Sequence, residues 1–463
     1  MSTNQFAVIG HPLAHTMSPF IHTHLFALSG YHGACSTDGA TGTGNKYGAR
    51  DIAPEALADV ISELRLLSGF NITIPHKQAI IPYLETLDAK AAFFHSVNTV
   101  KNENGNLIGY TTDGAGFCRA LEGAGVSLSG HTVVLGAGGA ARVLAFEAAL
   151  SGGRVTVAAR AHSLDAAKLL CKDLNEKVPG ANACACLMDQ IEGPVDLLAN
   201  ATPVGMYPRI GECPVTEEVI RQCACVFDAV YNPGETGLLK LARRCGVKTV
   251  GGMSMLVWQA AEAHKIWYGA DFSNEDIDRL CAQAEFEMKK QFGNVILCGF
   301  MGSGKTTVGR LLAQKTGRRF IDLDQWIEQS VGMTVSEIFD QRGETAFREM
   351  ERDAAAELSE VSGLVIAVGG GTLKNPENTA VLKRNGLILF LDASLEVIGT
   401  RLKGDETRPL LAVPNRTERM SQLYLQRTPI YRAAADTVIP ADGEADRVAQ
   451  DIFEMLRPAV RQQ

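Results

Sequence analysis

The chain has 463 residues, enough for two to four domains of roughly 100–200 residues each, and its 46% hydrophobic and 21% charged residues exclude both a lone small module and a disordered chain. Net charge is −8, with 23 Lys+Arg against 29 Asp+Glu before Gly293 and 21 against 23 from it onward, so neither half has the basic excess that draws nucleic acid or an anionic membrane. No apolar run approaches the ~18 residues that span a bilayer, and the start MSTNQFAVIG has no charged-then-apolar leader, which reads as a cytoplasmic protein.

Taken in chain order, strand-length apolar runs occur at 7–10 (AVIG), 69–74 (GFNITI), 132–136 (TVVLG), 154–160 (RVTVAAR), 195–201 (VDLLANA), 226–231 (VFDAVY), 294–299 (NVILCG), 364–369 (LVIAVG) and 387–392 (LILFLD). Amphipathic helical stretches lie between them. Such alternation predicts α/β units around parallel sheets. The polar helical stretch from Asp276 to Phe292, closed by Gly293 and Asn294, is the best domain boundary, and no linker rich in Pro, Gly or Ser follows it. The eleven cysteines are scattered, with CxC pairs at Cys184/Cys186 and Cys223/Cys225 but no CxxC and no nearby His, so they read as reduced thiols rather than zinc ligands.

The run TVVLGAGGAAR places Gly136, Gly138 and Gly139 at a strand's end in G-x-G-x-x-G/A spacing, with Ala141 third and a helix to follow. A pyrophosphate needs a turn without side chains, and the free N–H groups of a helix start receive its charge, so Gly136, Ala137, Gly138, Gly139 and Ala140 are candidate cofactor contacts. The next strand ends in Arg160, where NAD-selective sites carry Asp or Glu; a guanidinium suits a 2′-phosphate and predicts NADP(H).

Farther on, NVILCGFMGSGKTTVGRLLA reads as strand, G-x-x-x-x-G-K-T, helix. In such a loop the backbone around Gly302, Ser303, Gly304 and Thr307 cradles the phosphates of ATP, Lys305 neutralises β/γ charge, and the Thr306 hydroxyl can ligate Mg²⁺.

VIGHPLAHTMSPFIH, GFNITIPHK, VNT, TTDGAGF, GAGGAAR, NATPVGM, DAVYNP and MLVWQAA, in that order, resemble shikimate dehydrogenase over residues 5–290. The resemblance implies a substrate domain of residues 1–112 completed by 253–290, a Rossmann NADP domain at 113–252, and interconversion of 3-dehydroshikimate and shikimate. Carbonyl reduction needs a proton donor at oxygen while hydride reaches carbon, and a lysine beside a carboxylate can supply it; Lys77 and Asp113 are that pair, and the family match agrees. The competing reading of the two is a solvated surface ion pair. Thr16 and Ser18 offer hydroxyls for the substrate carboxylate, while Thr73, Asn98, Tyr231 and Gln259 resemble positions that bind the ring hydroxyls or carboxylate. Asn200, Ala201, Thr202, Ala229, Gly252 and Met255 match positions around the nicotinamide end. The sequence departs from the family pattern at Thr16, where Ser is usual, at 37–50, which does not look like the usual second strand, and in the turn Ala159–Arg160–Ala161 followed by Leu164.

FIDLDQWIE, FDQRGETAFREMER, VIAVGGGT, RPLLAVP and LYLQRTPIYR resemble shikimate kinase from residue 293 to about 456. The implied fold of 293–463 is a P-loop α/β domain like the nucleoside-monophosphate kinases. The pattern puts Asp322 near the metal, makes Asp324 the proton acceptor at the ring hydroxyls, and gives the substrate carboxylate to Arg348 and Arg427. Glu351, one turn beyond Arg348, is placed to orient it. Gly369, Gly370 and Gly371 would let the backbone approach the substrate, and 405–415 resembles a lid that brings Arg408 to the transferring phosphate; Arg401 matches an adenine-side position.

The two resemblances describe consecutive steps, reduction of 3-dehydroshikimate with NADPH and phosphorylation of the resulting shikimate with ATP. Two alternatives stay open on the sequence: a first half acting mainly on quinate with NAD, which Thr16 and the altered turn keep alive, and a metabolite-sensing regulator built from inactive copies. Retention of Lys77, Asp113, Lys305, Asp324 and Arg408 counts against the second. Oligomeric state is not readable.

Overall fold

The computed structural model describes residues 5–13, 16–30, 45–207, 209–403 and 415–457. The chain divides between Glu285 and Phe286, inside the helix Asn274–Phe292. The expected boundary at Gly293 is the end of that helix. The division comes earlier because the last turns are fixed within the second unit: Lys289 Nζ donates to Lys383 O at 2.8 Å, and Arg318 donates to the carbonyls of Lys290 and Gln291 at 2.9 and 3.0 Å.

The first unit holds two sheets. In one, β1 (Gln5–Gly10), β2 (Lys46–Asp51), β3 (Gly69–Ile72), β4 (Thr86–Leu87), β5 (Thr99–Glu103) and β6 (Asn106–Tyr110) lie in the order β2-β1-β3-β5-β6-β4. It is mixed rather than parallel, since β5 runs antiparallel to both β3 and β6. The reversal is local: Asn104 (φ 55°) and Gly105 (φ 92°) take the left-handed conformations of a two-residue hairpin turn. β2 is a second correction to the sequence reading. Lys46–Asp51 pairs with β1 residue for residue from Gln5 to Gly10, and as an edge strand it needs only one hydrogen-bonded side, so its polar sequence carries no burial signal.

The other sheet is wholly parallel as expected, built from β7 (His131–Leu135), β8 (Arg154–Ala159), β9 (Asn182–Leu187), β10 (Val195–Asn200), β11 (Cys223–Asp228) and β12 (Lys248–Val250) in the order β12-β11-β10-β7-β8-β9. This is the doubly wound arrangement. Its direction of growth reverses between β7 and β10, so the turns after those strands border one crevice at the carboxyl ends. Val133, Val134, Leu135, Leu197, Leu198 and Ala199 are fully buried there, which explains the unbroken apolar runs.

In the second unit, β13 (Asn294–Cys298), β14 (Arg319–Asp322), β15 (Leu364–Ala367), β16 (Gly386–Asp392) and β17 (Thr437–Pro440) form a parallel sheet in the order β14-β15-β13-β16-β17. The central β13 is buried along its whole length and delivers the phosphate loop from its carboxyl end. Among the described residues no helix is long and apolar enough to cross a membrane.

Candidate active sites

Lys77 sits in the short helix His76–Ala79 that follows β3, and Asp113 opens the helix Asp113–Gly123 that follows β6. Lys77 Nζ donates to Asp113 Oδ2 at 2.5 Å, while Asn98 Nδ2 donates to Asp113 Oδ1 at 2.8 Å. Only 15% of the lysine and 3% of the aspartate side chain are exposed, so this is no solvated surface pair. Asn98 is itself held: its Oδ1 accepts from the Thr112 N–H at 2.7 Å, and its Nδ2 reaches Gln259 Oε1 at 3.4 Å. Four of the predicted residues, Lys77, Asp113, Asn98 and Gln259, therefore form one connected network.

The remaining substrate-side residues gather less tightly. Thr16 Oγ1 donates to Ser18 Oγ at 3.2 Å and accepts from the Ser18 N–H at 3.3 Å. Tyr231, from the turn after β11, lies beside the backbone of Met17, and burial pushes its phenol above its usual range. The Thr16–Ser18 pair and Tyr231 thus meet across Met17. Thr73 is fixed through its N–H to Ile9 O at 2.9 Å and stands over Gly10, where a Cβ would lie 2.4 Å from its methyl group.

At the cofactor turn Gly136 has φ 104°, and a Cβ there would lie 2.9 Å from the Thr202 methyl, so the turns after β7 and β10 approach this closely only because the residue is glycine. Ala137 continues the turn, Gly138 opens into free space, and Gly139 and Ala140 begin the helix Gly139–Leu150. Asn200 Oδ1 accepts from Thr202 N and Oγ1 at 3.0 and 2.7 Å, and the Ala229 N–H bonds Asn200 O at 2.9 Å. Gly252 packs directly under Ala229 O, and Met255, a turn later, is buried. Arg160, directly after β8, is exposed, and its guanidinium has no partner among the described residues. It is available to an anion.

In the second unit Lys305 Nζ folds onto the loop carbonyls of Gly299 and Phe300 at 2.9 and 3.2 Å. Thr306 Oγ1 donates to Asp322 Oδ2 at 3.0 Å, which puts two hard oxygen atoms, of the kind Mg²⁺ favours, beside the phosphate loop. Gly302 and Gly304 bracket Ser303, whose buried Oγ has no partner among the described residues, and Thr307 is exposed on the first helical turn. Arg401 Nη1 reaches Ser303 O at 3.4 Å, so that arginine does come to the loop. Arg408 and the lid residues 405–414 lie outside the described residues.

After β15 the three glycines each pass a different one of the predicted site side chains. A Cβ on Gly369 would lie 2.6 Å from Asp324 Oδ1, one on Gly370 would lie 2.8 Å from Arg427 Nη1, and one on Gly371 would strike the Arg348 guanidinium. Burial, with Asp322 and Glu351 adding like charge, pushes the Asp324 carboxyl up to about 6, against the opposing pull of Lys305. Arg348 pairs with Glu351, as the one-turn spacing predicts, and with Glu344 at 2.9 Å. Glu351 in turn accepts from Thr372 Oγ1 at 2.5 Å.

Residues 8–100 match the family model described as shikimate dehydrogenase substrate binding domain, and residues 301–457 the one described as shikimate kinase. A shikimate dehydrogenase (NADP(+)) of Caldanaerobacter subterraneus subsp. tengcongensis is 38% identical over 279 residues, 59% of this chain and 95% of the relative. One of Moorella thermoacetica is 40% identical over 291 residues, 61% of this chain and 94% of the relative. The chain belongs to the shikimate dehydrogenase family. Among solved structures, the Thermus thermophilus shikimate 5-dehydrogenase in complex with NADP(H) and shikimate is 32% identical, covers 61% of this chain and all of its own length, and superposes with a TM-score of 0.53. A 5-ketofructose reductase of Gluconobacter sp. is 27% identical with a TM-score of 0.52 over 61% of this chain and 99% of its own. This shikimate dehydrogenase family member thus continues, in the same polypeptide, into a shikimate kinase domain, and it is an enzyme in both parts.

Three polar residues that frame these sites were not singled out from the sequence. In the shikimate dehydrogenase part, Asp228 Oδ1 accepts from Asn200 Nδ2 at 2.9 Å and from the Val230 N–H at 3.0 Å, and Oδ2 from Thr236 Oγ1 at 2.6 Å, tying the turns after β10 and β11 together. Burial pushes its carboxyl up to about 6 against those bonds. Thr112 anchors Asn98, and in the kinase domain Tyr431 donates to Gly370 O at 2.6 Å. All three lie in motifs already noted, TTDGAGF, DAVYNP and LYLQRTPIYR, and a buried polar residue inside a site motif is the signal that would have found them.

Proposed function

We propose that the first unit reduces 3-dehydroshikimate to shikimate with NADPH and that the second phosphorylates the new hydroxyl with ATP and Mg²⁺, giving shikimate 3-phosphate. The first assignment rests above all on the buried Lys77–Asp113 pair. NADPH supplies hydride to the carbonyl carbon when bound. Lys77 gives its proton to the carbonyl oxygen and regains one from solvent, while Asp113, fixed by Asn98, holds the ammonium on line. Thr16, Ser18 and Tyr231 hold the carboxylate end, and Thr73, Asn98 and Gln259 the ring hydroxyls. The glycine turn, Ala201, Thr202, Ala229, Gly252 and Met255 suit a dinucleotide, and the unpartnered Arg160 favours a 2′-phosphate over a bare ribose.

The second assignment rests on the Gly369–Gly371 loop, against which Asp324, Arg427 and Arg348 all pack. Arg348 and Arg427 take the carboxylate, and Asp324 accepts the proton of the attacking hydroxyl. Lys305, the backbone of Gly302–Thr307, Arg401 and Arg408 hold the nucleotide phosphates and base. Thr306 and Asp322 are fitting Mg²⁺ ligands, and the ion would neutralise charge on the transferring phosphate. The test is one cuvette: the full chain with 3-dehydroshikimate and NADPH, followed by absorbance, then MgATP with product detection. NADPH loss followed by ATP-dependent shikimate 3-phosphate is expected; turnover only with quinate and NAD would overturn the first assignment.

A further inference from the structure

Arg142 closes the run GAGGAAR in the first turn of the helix Gly139–Leu150, yet its side chain turns away from the cofactor turn. Arg142 Nε donates to Phe94 O at 2.5 Å, Nη2 pairs with Asp173, and the guanidinium lies 4.9 Å from the Phe146 ring. Phe94 ends the helix Ala89–Phe94, which His95 terminates in a left-handed conformation (φ 51°), so its carbonyl is a helix-end orphan at the negative pole of that helix. A guanidinium there satisfies both needs.

The next residues lead straight to the reaction centre. Ser96 is fully buried, its Oγ has no hydrogen-bond partner among the described residues, and that Oγ lies 4.0 Å from where a Cβ of Gly139 would be. The Val97 N–H bonds Lys77 O at 2.9 Å, and Asn98 Nδ2 bonds Asp113 Oδ1 at 2.8 Å. Five consecutive residues therefore touch the cofactor helix at one end and both members of the Lys77–Asp113 pair at the other.

We infer that Arg142 is a positioning residue, fixing the segment 94–98 on the helix that begins at the cofactor turn and thereby holding the Lys77–Asp113 pair in register with the bound cofactor. The inference rests on the proposed role of that pair in reduction. The plain alternative is that Arg142 and Asp173 merely join two helices of the cofactor sheet.

Three variants of the full chain separate these: Arg142→Ala, Arg142→Lys and Asp173→Asn, each assayed for NADPH-dependent reduction of 3-dehydroshikimate, NADPH binding with its stoichiometry, and shikimate phosphorylation. Arg142→Ala is expected to lower kcat about tenfold, since sub-ångström misplacement is costly at a reacting centre, with NADPH Kd changed less than about twofold and phosphorylation unchanged. Arg142→Lys, whose ammonium can still reach Phe94 O, should recover part of that loss. Asp173→Asn, which keeps the Phe94 bond, should lose less than about twofold. Full NADPH stoichiometry with unchanged kcat in Arg142→Ala overturns the inference, as does an equal fall in kcat and NADPH affinity, or a loss in Asp173→Asn as large as that in Arg142→Ala. If Arg142→Ala does not fold, the contrast between Arg142→Lys and Asp173→Asn decides. A wild-type chain that binds NADPH but leaves 3-dehydroshikimate unreduced would instead fault the proposed function itself.

Discussion

In the first unit the carboxylate of Asp113 meets an ammonium at 2.5 Å and an amide at 2.8 Å, whereas in the second Asp324 has no hydrogen-bond donor among the described residues and faces Asp322 and Glu351. The difference follows from what each carboxylate is proposed to do. Asp113 has to hold a neighbour aligned through every turnover, so it is stored paired. Asp324 has to receive a proton from a hydroxyl that is present only when substrate is bound, so it is stored with its demand unmet, which raises its proton affinity towards that of the working pH.

The sharpest way to break this comparison is to remove each unit's lysine. Lys77→Met should cost roughly 10³-fold in reduction, within the range for losing a general acid, and leave phosphorylation intact. Lys305→Met should do the reverse by a similar factor of about 10³, read by the same two assays, because an uncompensated β/γ charge is left in the phosphate loop. Loss of both activities in either variant would mean the two sites are not independent.

Asp324→Asn should reduce phosphorylation about 10²-fold or more. In the wild type the phosphorylation rate should fall as pH drops through about 6, where the Asp324 carboxyl takes up its proton. Stability moves oppositely. The raised carboxyl means that the folded state binds the extra proton, so this group's contribution is most favourable below about 4 and is lost as pH rises through about 6. Calorimetry at pH 7 should therefore find the second unit of Asp324→Asn melting above the wild type, with the gap closing towards pH 4.

Smaller effects sharpen the substrate and cofactor assignments. Gly371→Ala drives a methyl group into the Arg348 guanidinium and should raise KM for shikimate about tenfold, with KM for ATP nearly unchanged. Arg160→Ala should raise KM for NADPH by about five- to tenfold while leaving that for NADH where it is. Equal effects on both cofactors would show that the guanidinium does not read the 2′-phosphate.

Much of this was legible because buried parallel strands and glycine turns announce themselves. β7, β10, β13 and β16 are apolar on both faces, and each reads as a run. The edge strands do not. β2 (KYGARD) and β9 (NACACL) are half solvated, so neither alternation nor a run marks them, and the mixed first sheet hangs on a hairpin whose Asn104–Gly105 turn was there to be read. At the sites, residues that would touch ligands stood in recognisable motifs. Those that hold them did not: Asp228, Thr112 and Tyr431 act through hydrogen bonds to partners up to 61 positions away, and Arg142 through a carbonyl 48 positions back, separations that spacing within a motif cannot express.

The loop at Gly369–Gly371 has a pharmacological corollary. An inhibitor usually loses potency when a contacting side chain is exchanged, but this stretch offers only backbone, and a side chain added at any of its three positions would press against a group proposed to serve phosphorylation. A compound seated against those three peptide units would leave the target few escape substitutions that preserve its own turnover.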